Sequence, residues 1–244
     1  MKLTGEMTKK PNKREKQKQE TLADILRVGE ELFVTQGFEN TSIAQIADAC
    51  GMTKGAMYHH FDSKEALMEE ICQRHYDFLL ETARPFLARK DLHWFMRMGL
   101  VIDAVRKANE ERLAVAGEYL QARRSSSGQF AVKLSQVDRE FYKAVFASVL
   151  AEARDLNEAS FTGSAEMLAV FVYHVEKAMT DEIASILEEE KPKNFKKRAT
   201  EIMETFVHAL SSLLGIDKVM ILQLVKIPET ISYMAKLLKK QQRR

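Results

Sequence analysis

Residues 41–64 read TSIAQIADACGMTKGAMYHHFDSK, two short amphipathic segments joined by a turn that contains glycine. Ser42 followed three residues later by Gln45 matches a capping box, in which hydroxyl and amide satisfy helix-end donors reciprocally. Ile43, Ile46, Ala47 and Cys50 then fall at i, i+3, i+4 and i+7 and make one apolar stripe. Gly51 suits the left-handed residue that ends a helix. Thr53 can cap the next helix, so only Gly51 and Met52 separate the two. So short a connection predicts a helix-turn-helix pair with steeply crossed axes.

The second helix is defined by what it lacks. Lys54, Gly55 and Ala56 leave its leading edge nearly free of bulk, although Gly55 costs about 1 kcal/mol of helix propensity relative to Ala. A helix entering a groove about 12 Å wide gains from small residues where its backbone nears bases or sugar-phosphate. Met57 and Phe61, four apart, face inward, while Tyr58, His59 and His60 turn polar tips elsewhere, toward phosphates or base edges. Asp62 and Glu65 read as a second cap-and-box pair. Lys64 would then sit in the first turn of a new helix, where a phosphate can meet its ammonium and free backbone N–H groups. Taken singly, these features have plainer readings: a capped pair with an apolar stripe is core, and Gly51 is an ordinary cap. His59 and His60 diverge on a helix and have no Cys or carboxylate to complete a ligand set, so no metal is expected. The joint order and spacing point to DNA.

The stretch TSIAQIADACGMTKGAMYHHFDSKEAL resembles the DNA-binding motif of the TetR family of bacterial transcriptional regulators. The resemblance runs from about Thr21 to Leu67, and Tyr-His-His-Phe followed by Ser-Lys-Glu is its most specific part. It implies an all-α homodimer, with an N-terminal three-helix domain on a palindromic operator in double-stranded DNA. A larger C-terminal helical domain would dimerise and bind a small apolar or amphipathic effector. By position, the resemblance assigns Thr41 and Ser42 to phosphates at the start of the second helix. Thr53, Lys54, Gly55 and Ala56 fall on the recognition helix, with the last three facing bases. Tyr58, His59, His60 and Lys64 fall to the phosphate backbone. Repression, with release by the effector, is what the family implies.

Composition bounds the rest. The chain has 244 residues, 45% of them hydrophobic, and a net charge of only +2, so it can bury a core and its overall charge says little about nucleic acid. Distribution says more: residues 1–20 hold seven Lys or Arg against three Glu. Residues 1–16 read as a basic disordered arm that either reaches DNA or is simply solvated. Cys50 and Cys72, the only cysteines, form no disulfide or zinc pattern. With no signal peptide and no run of roughly 18 uncharged apolar residues, a cytoplasmic protein without a membrane role is expected.

Beyond a first helix at 17–36, the boundary between the DNA-binding and C-terminal domains is placed near residue 67, within a helix opening at Asp62. Residues 68–216 read as the effector and dimerisation domain. Helices are expected at 91–108, 109–124 and 129–154. Trp94, Met98, Tyr119, Phe141, Tyr142, Phe146, Tyr173 and His174 are candidates to line an effector pocket, though such residues at helical spacing are more often core. Long apolar stripes over 164–190 (Leu168, Phe171, Val172, Val175, Met179, Ile183, Ile186) and 195–214 suit a four-helix bundle across a two-fold axis, an intramolecular hairpin being the alternative. Residues 217–244 read as one kinked or two short amphipathic helices. No nucleophile elbow, phosphate loop or metal set stands out, so no enzyme and no cofactor is expected. A helical regulator or adaptor controlled by a protein partner, or one with no small-molecule ligand, is the alternative function.

Overall fold

The computed structural model describes residues 13–188 and 194–239, and every regular element among them is a helix. In order these are α1 (Lys13–Gln36), α2 (Ile43–Ala49), α3 (Lys54–Tyr58), α4 (Lys64–Leu87), α5 (Trp94–Glu111) and α6 (Leu113–Ser125). They continue with α7 (Gly128–Asp155), α8 (Ala165–Glu188), α9 (Phe195–Leu214), α10 (Lys218–Val225) and α11 (Ile227–Lys239). The chain divides into two compact units, one up to Ile71 and one from Cys72 onward. Helix α4 is covalently part of both.

Helix α1 begins at Lys13, so residues 13–16 are the start of a helix and not part of an arm; residues 1–12 lie outside the described residues. In the first unit, Ile25, Leu26 and Phe33 of α1, Ile46 and Ala47 of α2, Met57 of α3, and Leu67 and Met68 of α4 are buried together with Phe38 and Phe61. Gly29 is what lets α1 approach α4: a Cβ there would stand 2.6 Å from Cδ2 of fully buried Leu67. At the start of α4 the hydroxyl of Ser63 accepts from the Ala66 N–H at 3.1 Å. The cap is therefore Ser63, one residue after the expected Asp62.

The second unit is built on α7 and α8, its most extensive helix pair, with α9 packed on α8. Its main core joins Trp94, Met98, Leu120, Val149, Leu150, Leu168, Val172, Ile183, Met203, Val207, Leu210, Ile221 and Met234. The α8 stripe expected to pair across a two-fold axis is mostly used here: Leu168, Val172, Met179, Ile183 and Ile186 are buried within their own subunit. Only Phe171, half exposed, and half-buried Val175 keep an outward share. Amphipathicity fixes a helix's apolar face but not the molecule it meets. Residues 217 onward form two helices, α10 and α11, with Lys226 in the left-handed conformation (φ 47°) as the joint. Ile231 and Met234 of α11 are buried in the core. Its ends are tied to α5 by Lys226–Asp103 (2.6 Å) and Lys236–Glu110 (3.7 Å). Burial pushes the Asp103 carboxyl up, but Lys226 and Arg106 outweigh it and hold the group below the usual range. No helix among the described residues is long and apolar enough to cross a membrane.

Candidate nucleic-acid interface and ligand cavity

Helices of seven and five residues have little stability of their own, and here capping holds both. Ser42 accepts from Gln45 N–H while the Gln45 side chain accepts from Ser42 N–H at 2.8 Å, a complete box. Gly51 takes φ +65° in open space, and Met52 N–H closes the turn on Ala47 O at 2.9 Å. Thr53 accepts from Ala56 N–H and opens α3. With Met57 buried at 1% exposure as the anchor, Thr53, Lys54, Gly55, Tyr58 and His59 are left exposed and Ala56 and His60 half-buried. No atom lies within 4 Å of a Cβ built on Gly55, so nothing of the protein's own obstructs that edge of the helix.

Two clefts flank this helix. One, of about 390 Å³, is lined by Asn40, Ser42, Tyr58, Ser63 and Lys64 among others. The other, of about 460 Å³, brings His59 and His60 together with Arg14, Lys18 and Thr21 of α1. By sequence, Arg14 falls in the arm and Lys18 at the start of the first helix, and neither is named individually as a contact. A helical extension of α1 back to Lys13 is what aligns them with the histidines.

Two expected phosphate ligands stand differently. Thr41 is 2% exposed and its hydroxyl donates to Gly37 O at 2.8 Å, so its side chain is a strut and offers nothing to a phosphate. Lys64 donates to the carbonyls of Phe38 and Glu39 at 2.8 and 3.2 Å and lies 4.5 Å over the Phe38 ring. Its ammonium fastens the loop after α1 to the start of α4, with one of three donors left for another acceptor. Cys50 is half-buried, and burial pushes its thiol up, toward the protonated form.

In the second unit, α5 and α7 to α11 enclose a cavity of about 290 Å³. Of the expected pocket residues it collects Trp94, Met98, Phe141, Tyr142 and Phe146. The other three are elsewhere. His174 is exposed on α8, and Tyr173 is fully buried with its hydroxyl donating to Ser135. Tyr119 is turned into a buried polar knot centred on Asp138, a residue with 0% exposure. Asp138 accepts from Tyr76 at 2.5 Å and from Tyr119, with Arg123 at 3.8 Å. Burial, then the neighbouring Asp138 charge, raises the Tyr119 hydroxyl well above its ordinary value and keeps it a donor. Residues that sequence reading missed are Asn109, Glu176 and Tyr233 on the cavity wall, together with Arg123 and Asp138 of the knot. A lone polar residue in an amphipathic helix carries no signal of which side it takes. Among the described residues no cluster suited to a metal occurs.

Residues 25–71 match the family model described as "Bacterial regulatory proteins, tetR family". The HTH-type transcriptional repressor KstR2 of Rhodococcus jostii is 38% identical over 65 residues, 27% of this chain and 32% of that protein. The HTH-type transcriptional regulator AcrR of Shigella flexneri is 46% identical over 59 residues, 24% and 27% of the two chains. The match thus spans about a third or less of these relatives' own length. Solved structures resemble the fold over far more of the chain. A TetR-family protein from Syntrophomonas wolfei aligns with TM-score 0.56 over 91% of this chain and 96% of its own, at 15% identity. FadR of Thermus thermophilus, solved with lauroyl-CoA, aligns with TM-score 0.57 over 76% and 93%, at 14% identity. At such identities the likeness concerns the fold alone. Residues 25–71 thus carry the motif described for the tetR family of bacterial regulatory proteins, within an all-helical fold that resembles solved TetR-family structures.

Proposed function

We propose that this protein is a transcriptional repressor that grips a palindromic operator as a homodimer and lets go when a small molecule enters the α5–α11 cavity. The observation that carries this reading is α3: a capped, five-residue helix with a buried Met57 and an unobstructed outer edge of Thr53, Lys54 and Gly55. Tyr58, Ser42 and one free donor of Lys64 supply phosphate contacts from one cleft, and His59, His60, Arg14 and Lys18 from the other. Phosphate contacts set register and salt dependence, while Lys54 and the small residues beside it read bases.

Dimerisation through α8 and α9 uses the faces that their own subunit leaves open. On α8 these are Met167, Phe171, His174, Ala178 and Glu182, one stripe at helical spacing, with Met167 and Phe171 more than half exposed. On α9 they are Glu201, Thr205 and His208, with Ile202 and Ala209 half-buried. Two copies related by a two-fold axis would set recognition helices about 34–36 Å apart, one turn of DNA.

Release rests on α4. His75 Nε2 meets Asn109 Oδ1 at 2.9 Å, and the Tyr76 ring packs on Phe141 at 4.7 Å. Asn109 and Phe141 are cavity wall. A ligand that displaces them therefore acts on the helix whose first turn carries Lys64. Differential binding of about 1–3 kcal/mol between two α4 positions is the usual scale of such coupling. Selection of bound duplexes from a random pool tests the whole reading. It should return two inverted half-sites one helical turn apart, bound with steep salt dependence. Single half-sites, or no enrichment, would overturn it.

A further inference from the structure

The cavity is walled almost throughout by apolar and aromatic side chains, and of all its lining residues only Arg106 and Glu176 carry charge. These two are not equivalent. Arg106 is flanked on its own helix by two carboxylates, Asp103 at 3.4 Å and Glu110 at 3.8 Å. Glu176 accepts from neutral donors, the Thr180 hydroxyl at 2.7 Å and the Tyr142 hydroxyl. Among the described residues no cation lies within the 4.0 Å of an ion pair with it. The nearest buried cation that bears on it is Arg123, which is shared with Asp138 at 3.8 Å and Asp181 at 4.0 Å. Lys177 adds one more positive charge, at 2.5 Å from Asp181. Asp138, Asp181 and Glu176 thus share two cations, and of the three carboxylates only Glu176 lines the cavity.

We propose that the cavity takes an apolar molecule bearing one cationic nitrogen, an amine or quaternary ammonium, whose charge is met by Glu176 beside the rings of Tyr142 and Tyr233. The inference rests on reading this cavity as a ligand site. A carboxylate held at an apolar wall gains from an opposite charge and loses from a like one, and both effects grow as water is excluded. Aromatic faces add to the preference, because their negative π surfaces attract cations. Tyr142 stacks on Phe146 at 5.3 Å and lies 5.5 Å from Tyr173, so its ring is fixed beside Glu176. At Tyr233, burial and then the charges of Glu176 and Glu110 raise the hydroxyl, which keeps it a neutral donor. A fatty acid or another anion of the same length would place its head against Glu176.

The chain has one tryptophan, and Trp94 lines the cavity, so its fluorescence reports occupancy in the full-length protein without a label. Decyltrimethylammonium, decanol and decanoate, each below its micellar concentration, are titrated against that signal. The cationic probe should bind roughly tenfold or more tightly than the other two. Glu176→Gln should remove that advantage while leaving decanol affinity unchanged. Glu176→Asp, which keeps the charge, should retain part of it and serves if the glutamine variant does not fold. Decanoate or decanol binding as tightly as the cation, no probe binding at all, or a preference that survives Glu176→Gln would each overturn the proposal. Duplex affinity measured on the same preparation separates the two readings. Cation preference without duplex binding would sink the regulator reading alone, and duplex binding without cation preference would sink this one alone.

Discussion

In the first unit two helices of seven and five residues are held by hydroxyl caps and one buried methionine, and their polar groups face outward. In the second, helices of up to 28 residues bury an aspartate, an arginine, two tyrosine rings and a sizeable void. The first region presents a fixed outline whose chemistry lies outside it. The second conceals charge beside empty apolar space, an arrangement that resists simple hydrophobic closure and leaves room for a guest. Short capped helices suit a surface that must not change, whereas a knot of buried charges suits a region with more than one acceptable packing.

That contrast breaks most visibly at Asp138. Asp138→Ala removes the buried acceptor of Tyr76 and Tyr119 and takes away one of the carboxylates around Arg123. A loss of about 3–5 kcal/mol is expected, read as a lower melting temperature of the full chain. An unmoved melting temperature would show that the knot contributes nothing to the stability of the second unit.

Next comes acid. Burial is the main cause that lowers the His75 imidazole from 6.5 to about 4, with the Asn109 hydrogen bond opposing it and Arg112 adding to it. Between those pH values the unfolded chain takes up a proton that the native chain refuses, so stability falls as pH drops from about 6.5 to about 4. The full difference is about 3 kcal/mol. Denaturant midpoints of the native protein and of His75→Gln, followed over that range, should converge at low pH, and parallel curves would refute the assignment.

The third comparison sharpens the first unit against itself. Lys64→Met should cost about 1–2 kcal/mol of stability by cutting its bonds to Phe38 and Glu39, and should weaken duplex binding as well. Tyr58→Ala touches an exposed side chain, so it should cut duplex affinity roughly tenfold with the melting temperature unchanged. Equal thermal effects from the two would erase the distinction drawn between strut and contact. The smallest expected change is Ser42→Ala, about 1 kcal/mol from one lost cap, measurable by amide exchange in α2.

What could be read from the chain follows from how far each interaction reaches. The Ser42–Gln45 box and the Thr53–Ala56 bond span three residues, so their spelling is local and was legible, as was the left-handed Gly51. The second cap was misplaced by one because Asp62 and Ser63 both suit the role. Lys64 reaches back 26 residues to Phe38, and nothing adjacent to it in sequence reveals that. Tyr76 and Asp138 are 62 residues apart, and Trp94 and Glu176 meet the same void from different helices. Periodicity marks the apolar face of α8 and leaves the α8–α9 hairpin as one alternative, but it does not show that α7 covers that face as well.

The cavity also has a place in time. Its walls come from α5 and from α7 to α11, so an emerging chain exposes Trp94, Phe146 and Val172 until Thr230, Tyr233 and Met234 have left the ribosome. The first unit ends at Ile71, so all of it has emerged while synthesis of the second continues. For that interval the cavity's apolar walls stand open to water, and chaperones have reason to meet the nascent chain there.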